Sequence, residues 1–281
     1  MFALTFGIAL VAATHAQMLE RPDGRVAYEV FGSHGPLILC TPGIGDVRAQ
    51  YRFLAPQLVA AGFRVALMDL RGMGDSSDDF ASYSADAVGE DMVALLKELD
   101  VQHATVIGNS ASAASAVWAA AALPRVVDSI VLIGPFVRVM PTPWYQRALL
   151  SVAFRSFWGR AVWMQYYGSL YPTRKPADFA QYKVALADSL DGRLHVVNAM
   201  LSSSKAPCEA KIPDVTARVL IVMGSKDPDF PDPAKEADLI ASRLHADVLM
   251  VDGAGHYPHA EMPEETAKLI SAFVRADADG R

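Results

Sequence analysis

Ser110 stands in the stretch Gly108-Asn109-Ser110-Ala111-Ser112, between an apolar run and a run of small residues. A serine on a sharp strand-to-helix turn can present its hydroxyl as a nucleophile. The positions two before and two after it must be small for the chain to fold so tightly. Gly108 and Ser112 meet that demand, with Ser112 where a glycine is usual. The same turn sets the Ala111 amide at a helix N-terminus, facing the place where an oxyanion would develop. Taken alone, these five residues fit a helix-capping serine equally well.

A serine hydroxyl needs a base, and an imidazole needs an orienting carboxylate. His256, in Asp252-Gly253-Ala254-Gly255-His256, follows an apolar strand pattern and is the first choice; His259 competes with it. Asp227 is the first acid after the run Ala217–Gly224, with Asp229 and Asp232 as alternatives, since Asp-Pro pairs also simply make turns. A second oxyanion donor is expected from Cys40-Thr41-Pro42-Gly43-Ile44-Gly45, with Ile44 supplying the N–H. Asp46 and Arg48 beside it are read as a surface pair, because charges are usually solvated.

These residues need a frame that brings them to one rim. The run at 25–32 reads as an entry strand, and largely apolar runs at 36–40, 63–70, 104–108, 129–134, 217–224 and 247–253 read as strands covered on both faces, as in a parallel sheet. A helical period fills 84–99, and Pro263 with Glu264 and Glu265 opens another helix. Strand alternating with helix predicts an α/β fold with a doubly wound, mostly parallel sheet, whose ligands bind beyond the carboxyl ends of the strands. Residues 136–211 break the alternation. No strand pattern occurs there, aromatic residues abound, and the span is too long for a loop, so it is read as a helical lid inserted into the core. The expected domains are an extension at 1–17, a core at 18–135 and 212–281, and the lid at 136–211.

Of 281 residues, 52% are hydrophobic and 20% charged, which argues against disorder. The net charge of -6, with no long basic run, makes nucleic acid a poor partner. Cys40 and Cys208 form neither a disulfide framework nor a metal cluster and are read as free thiols. The apolar start at 1–17 lacks the basic residues of a signal peptide and is too short to span a bilayer. The expected location is the cytoplasm, with secretion the alternative should residues 1–17 act as a signal.

Four pieces in order make the chain resemble the α/β-hydrolase fold superfamily over nearly all of 18–281. They are Gly108–Ser112 as the elbow, Asp69–Ser77 as the stretch after the fourth strand, Met223–Phe230 as the acid loop and Gly253–Glu265 as the histidine loop. The order Ser, Asp, His matches that family. The resemblance implies Ser110 as nucleophile, His256 as base and acid, Asp227 as its partner, and Ile44 and Ala111 as oxyanion donors. It makes Asp69, Arg71, Gly72 and Gly74 scaffold. Pro42-Gly43 stands where many relatives carry His-Gly.

A serine nucleophile speaks against dehalogenase and epoxide hydrolase chemistry and for a serine hydrolase of a small, mostly apolar ester, lactone or thioester. The alternatives are a carbon–carbon bond hydrolase, a perhydrolase, or a ligand-binding protein of slow turnover. A carbon–carbon bond hydrolase needs a cation for its substrate's carboxylate, for which Arg48, Arg71 and Arg155 are the nearest candidates. Gly43, Trp144, Phe154, Trp158 and Tyr257 are the expected pocket residues, while most lid aromatics are expected to pack the lid onto the core. No metal or organic cofactor is implied. The expected partner is a small-molecule substrate, with no nucleic acid and no stable membrane insertion; a homodimer stands open beside a monomer.

Overall fold

The apolar runs become one eight-stranded sheet in a computed structural model that describes residues 16–140 and 158–278. The strands are β1 (Gln17–Arg21), β2 (Gly24–Phe31), β3 (Leu37–Thr41), β4 (Arg64–Met68), β5 (Ala104–Asn109), β6 (Val127–Ile133), β7 (Arg218–Gly224) and β8 (Asp247–Val251). Their order is β1-β2-β4-β3-β5-β6-β7-β8. β1 and β2 pair antiparallel, as do β2 and β4; the others run parallel. β1 has no apolar run to announce it. Only Leu19 of its five residues is buried, as suits an edge strand. Gln17, which the sequence places in the extension, is the first residue of β1 and pairs with Tyr28.

Alternate residues of the inner strands enter opposite cores. Leu37 and Leu39 join one cluster, with Met92 and Leu95 of α2 (Ala85–Glu98) and Ala113 and Val117 of α3 (Ser112–Ala122). Ile38 and Cys40 join the other, with Leu54 and Leu58 of α1 (Leu54–Ala60) and Ile270 and Phe273 of the helix Pro263–Ala278. Helices on both faces explain why β3 is buried at every position. Truncating Leu39 to alanine would cost about 2–5 kcal/mol.

Between β6 and β7, the described residues hold the helices Gly159–Ser169, Phe179–Ser189, Leu194–Ser202 and Ala206–Glu209, and no strand. Trp163, Tyr167, Leu186 and Val196 extend the first core cluster. Polar tethers fix this segment at the rim. Arg193 donates to the Gly72 and Ser76 carbonyls at 2.9 and 3.0 Å, and Arg52 binds Asp178 through two bonds of 2.7 Å. Trp144, Phe154 and Arg155 lie outside the described residues.

The stretch after β4 is scaffold. Asp69 accepts from the Arg48 amide at 2.7 Å, from the Asp75 amide at 3.0 Å and from the Arg48 guanidinium. Arg71 binds buried Asp91 through two bonds of 2.8 and 2.7 Å, and Arg21 of β1 reaches the same carboxylate at 2.8 Å. The expected surface pair of Asp46 and Arg48 does not form. Arg48 turns to Glu29, Asp69 and Asp75, where three carboxylates compete for it. Asp46 is fully buried and accepts from the Tyr182 hydroxyl and the Val47 amide. Cys40 and Cys208 are buried and unbridged.

Candidate active site

β5 runs to Asn109 and the chain turns at Ser110, whose φ of 57° lies in the left-handed region. That conformation costs a serine roughly 1–2 kcal/mol and holds only where the surroundings enforce it. The Ser110 amide donates to the Ile133 carbonyl at 2.8 Å, and the Ser110 carbonyl accepts from the Phe136 and Ala113 amides at 3.1 Å each. The turn is therefore clamped between the end of β6 and the start of α3. Gly108 is forced by this geometry, since a Cβ there would stand 2.2 Å from the Ser112 carbonyl oxygen. Ser112 is fully accommodated, and its hydroxyl donates to the Pro42 carbonyl of the neighbouring loop.

The loops after β7 and β8 supply the acid and the imidazole. They are bound together by the Ser225 amide on the Val251 carbonyl (3.0 Å) and the Lys226 amide on the Ala254 carbonyl (2.9 Å). Asp227 and His256 are buried, and Nδ1 of His256 lies 2.7 Å from Oδ2 of Asp227. The Asp229 amide donates to the other Asp227 oxygen at 3.0 Å. With its proton on Nδ1, the neutral ring keeps a lone pair on Nε2. Gly134, at φ 51°, makes room for the ring, because a Cβ there would stand 2.9 Å from His256 Nδ1. Burial works to lower the His256 pKa. The Asp227 charge and hydrogen bond, backed by Asp229 and Glu261, outweigh it and hold the pKa up at about 9. Among the described residues, the Ser110 hydroxyl makes no hydrogen bond to this imidazole.

A second carboxylate stands behind the first. Asp229 Oδ2 is 3.6 Å from His256 Nδ1, and the Tyr166 hydroxyl, from the helix Gly159–Ser169, meets both Asp229 oxygens at 2.8 Å. The competing residues have other places. His259 is buried on the Tyr51 ring at 4.9 Å, neither ring nitrogen has a partner among the described residues, and burial drives its pKa down to about 3. Asp232 caps the helix Pro233–Leu244 through the Lys235 amide. Asp227, Asp229 and His256 have ligand atoms within 4.8 Å of one another. The proton between Nδ1 and Asp227 and the Tyr166 hydroxyl on Asp229 occupy these atoms, so the group reads as an acid–imidazole pairing.

The loop after β3 closes the third side. Gly43 lies against Ser110; a Cβ on it would be 3.0 Å from the Ser110 Cβ. Neither the Ile44 nor the Ala111 amide donates a hydrogen bond to another described residue, and both residues line one small cleft. Asn109 braces these parts. Its Oδ1 accepts from Gln50 at 2.8 Å, Gln50 accepts from the Gly43 amide at 3.3 Å, and its Nδ2 donates to the Ile133 carbonyl at 3.0 Å. Sequence reasoning passed over Asn109 and Gln50; as uncharged amides in unremarkable places, they carry no pattern. Tyr257 is buried beside His256 with ring neighbours Tyr167 and Tyr171, while Trp158 is 48% exposed at the start of the helix Gly159–Ser169. Among the described residues, no helix is long and apolar enough to cross a membrane.

Comparison with known proteins adds a family. The Alpha/beta hydrolase family matches residues 38–269. A 2-(acetamidomethylene)succinate hydrolase of Mesorhizobium japonicum is 30% identical over 279 residues, covering 95% of this chain and 98% of that protein. A bromoperoxidase from Bacillus anthracis superposes with a TM-score of 0.78 at 18% identity, over 92% of this chain and 99% of that one. An enol-lactonase from Burkholderia xenovorans superposes with a TM-score of 0.71 at 19% identity, over 90% of this chain and 97% of the other.

Proposed function

The chain belongs to the alpha/beta hydrolase family, and from that premise we propose that it is a serine hydrolase of a small, mostly apolar ester, lactone or thioester. The observation that carries this reading is the buried pair of His256 and Asp227, 2.7 Å apart, at the rim where Ser110 is held in a left-handed turn. In the proposed cycle Ser110 attacks the carbonyl carbon while Nε2 of His256 takes its proton. The Ile44 and Ala111 amides stabilise the oxyanion, and the imidazolium returns the proton to the leaving group. Water then attacks the acyl-serine by the same route. The missing contact between hydroxyl and imidazole forms when substrate enters, since catalytic hydrogen bonds tighten in the Michaelis complex. The described helices between β6 and β7 act as the lid over the site, and Trp158 with Tyr257 borders the substrate.

The test is a fluorophosphonate probe with mass mapping, followed by p-nitrophenyl acetate and butyrate hydrolysis. Label is expected on Ser110, and Ser110→Ala should lower kcat/KM on the order of a thousandfold or more. Equal rates in the variant and the wild type would refute the reading.

A further inference from the structure

The sequence offered arginines as anchors for a charged substrate group. In the structure Arg48 and Arg71 are spent on Asp69, Glu29 and Asp91. A different cation stands at the site. Lys205, on the segment between β6 and β7, lines the same small cleft as Ile44 and Ala111, the two residues with open amides. It is half-buried, and its ammonium lies 6.0 Å from the centre of the Phe136 ring. The Phe136 amide holds the Ser110 carbonyl, and its ring is 6.1 Å from that of His256. Lys205 is therefore one aromatic ring away from the reacting residues.

Nothing in the described protein neutralises this charge. Among the described residues the Lys205 ammonium makes no hydrogen bond or ion pair, and no Asp or Glu lines the cleft. The stretch 141–157 contains no acidic residue at all. The serine hydroxyls facing the cleft are committed elsewhere: Ser112 donates to Pro42, Ser115 to Ala85 and Ser203 to Met200. Burial lowers the Lys205 pKa, the signature of an ammonium stripped of water, although nearby Cys208 opposes the shift. A partly desolvated, unpaired ammonium is unfavourable for the empty protein and becomes favourable once an anion enters. The cleft is small, with about 20 Å³ open to the centre of a water-sized group, so it admits a compact group and no long chain.

We propose that Lys205 receives a carboxylate of the substrate, so that the compound hydrolysed is a short ester, lactone or thioester bearing a carboxylate a few atoms from its reacting carbonyl. This rests on the serine hydrolase reading and adds a charge to one end of the substrate. The amides of Ile44 and Ala111 then take the carbonyl oxygen, and Lys205 fixes which end of the molecule points away from the leaving group.

The experiment uses the full chain and mono-ethyl malonate, succinate and glutarate. Each is compared with a neutral ethyl ester in which an isopropyl group replaces the carboxylate. In the wild type the acidic ester of at least one length should have the higher kcat/KM. In Lys205→Met the charged-to-neutral ratio of kcat/KM should fall about thirtyfold or more, mainly through KM. Lys205→Arg should keep a ratio above that of Lys205→Met. A ratio unchanged in Lys205→Met, or a wild type that favours the neutral ester at every length, overturns the proposal. Should no ester turn over, fluorophosphonate labelling of Ser110 gives the readout. Succinate or glutarate should slow labelling in the wild type and not in Lys205→Met, and equal rates overturn the proposal. Loss of labelling at Ser110 is a separate result, which removes the hydrolase reading and this inference with it.

Discussion

Two carboxylates share one imidazole, and they act on it differently. Asp227 accepts the Nδ1 proton and so fixes both the tautomer and the ring orientation. Asp229, 3.6 Å away and held by Tyr166, adds negative charge without that bond. The groups facing His256 are these two acids, Glu261, Tyr257 and His259 from its own loop, and the Phe136 ring. A general base must be neutral in the free enzyme, so kcat/KM should rise with pH along a limb near the His256 pKa of about 9. Asp229→Asn removes a charge that favours the imidazolium, so its limb should move to lower pH with kcat little changed. Asp227→Asn removes the tautomer lock too and should lower kcat on the order of a thousandfold or more. Profiles of kcat/KM against pH for the three proteins check this. A limb in Asp229→Asn that coincides with the wild type would mean that Asp229 is electrically silent.

At the scale of elements, three strand ends meet because backbone and amide hydrogen bonds tie their loops. Asn109 is the central tie, reaching Gln50 on one side and the Ile133 carbonyl on the other. Asn109→Ala leaves the Gln50 amide buried without its acceptor, a loss of about 1–3 kcal/mol. It should lower kcat more than it raises KM, because the amides of the β3 loop shift while the pocket stays; denaturant melts and Michaelis curves read both effects. Asp91→Ala should be more severe, at about 3–5 kcal/mol, since it leaves Arg71 and Arg21 facing a buried void. The central strands were legible in the sequence because both of their faces are buried, which writes an unbroken apolar run. β1 was not, since an edge strand with one buried residue writes no pattern. Ser110, Asp227 and His256 stood out through small-residue spacing and loop position. Asn109, Gln50 and Lys205 did not, because their roles arise only when distant strand ends converge. Asp46 was misjudged for the same reason: the tyrosine that receives it lies 136 residues away.

Across the whole molecule, three buried titratable groups beside the site set opposing slopes of stability with pH. Burial raises Asp46 from 3.8 to about 6, although the Tyr182 hydroxyl and Val47 amide favour its charge. Burial likewise raises Glu261 from 4.5 to about 7 against the Gly255 and Arg174 amides. For both acids the folded state binds the proton more tightly than the unfolded state. Their stabilising contribution is complete below pH 4 or so and is lost as pH rises through about 6 to 7. His259 runs the other way. Its folded pKa is depressed from 6.5 to about 3, so its contribution is present above 6.5 and lost as pH falls toward 3. Asp46→Asn keeps an acceptor for Tyr182 but cannot ionise. Its Tm should exceed that of the wild type at pH 8 by on the order of a few degrees, with the gap closing at pH 4.5. His259→Phe keeps a ring against Tyr51 and cannot be protonated. Its Tm relative to the wild type should therefore be higher at pH 4.5 than at pH 8. Thermal melts of the three proteins at both pH values decide it. Differences independent of pH would mean that these side chains titrate in the fold as they do in the unfolded chain, and that water reaches them.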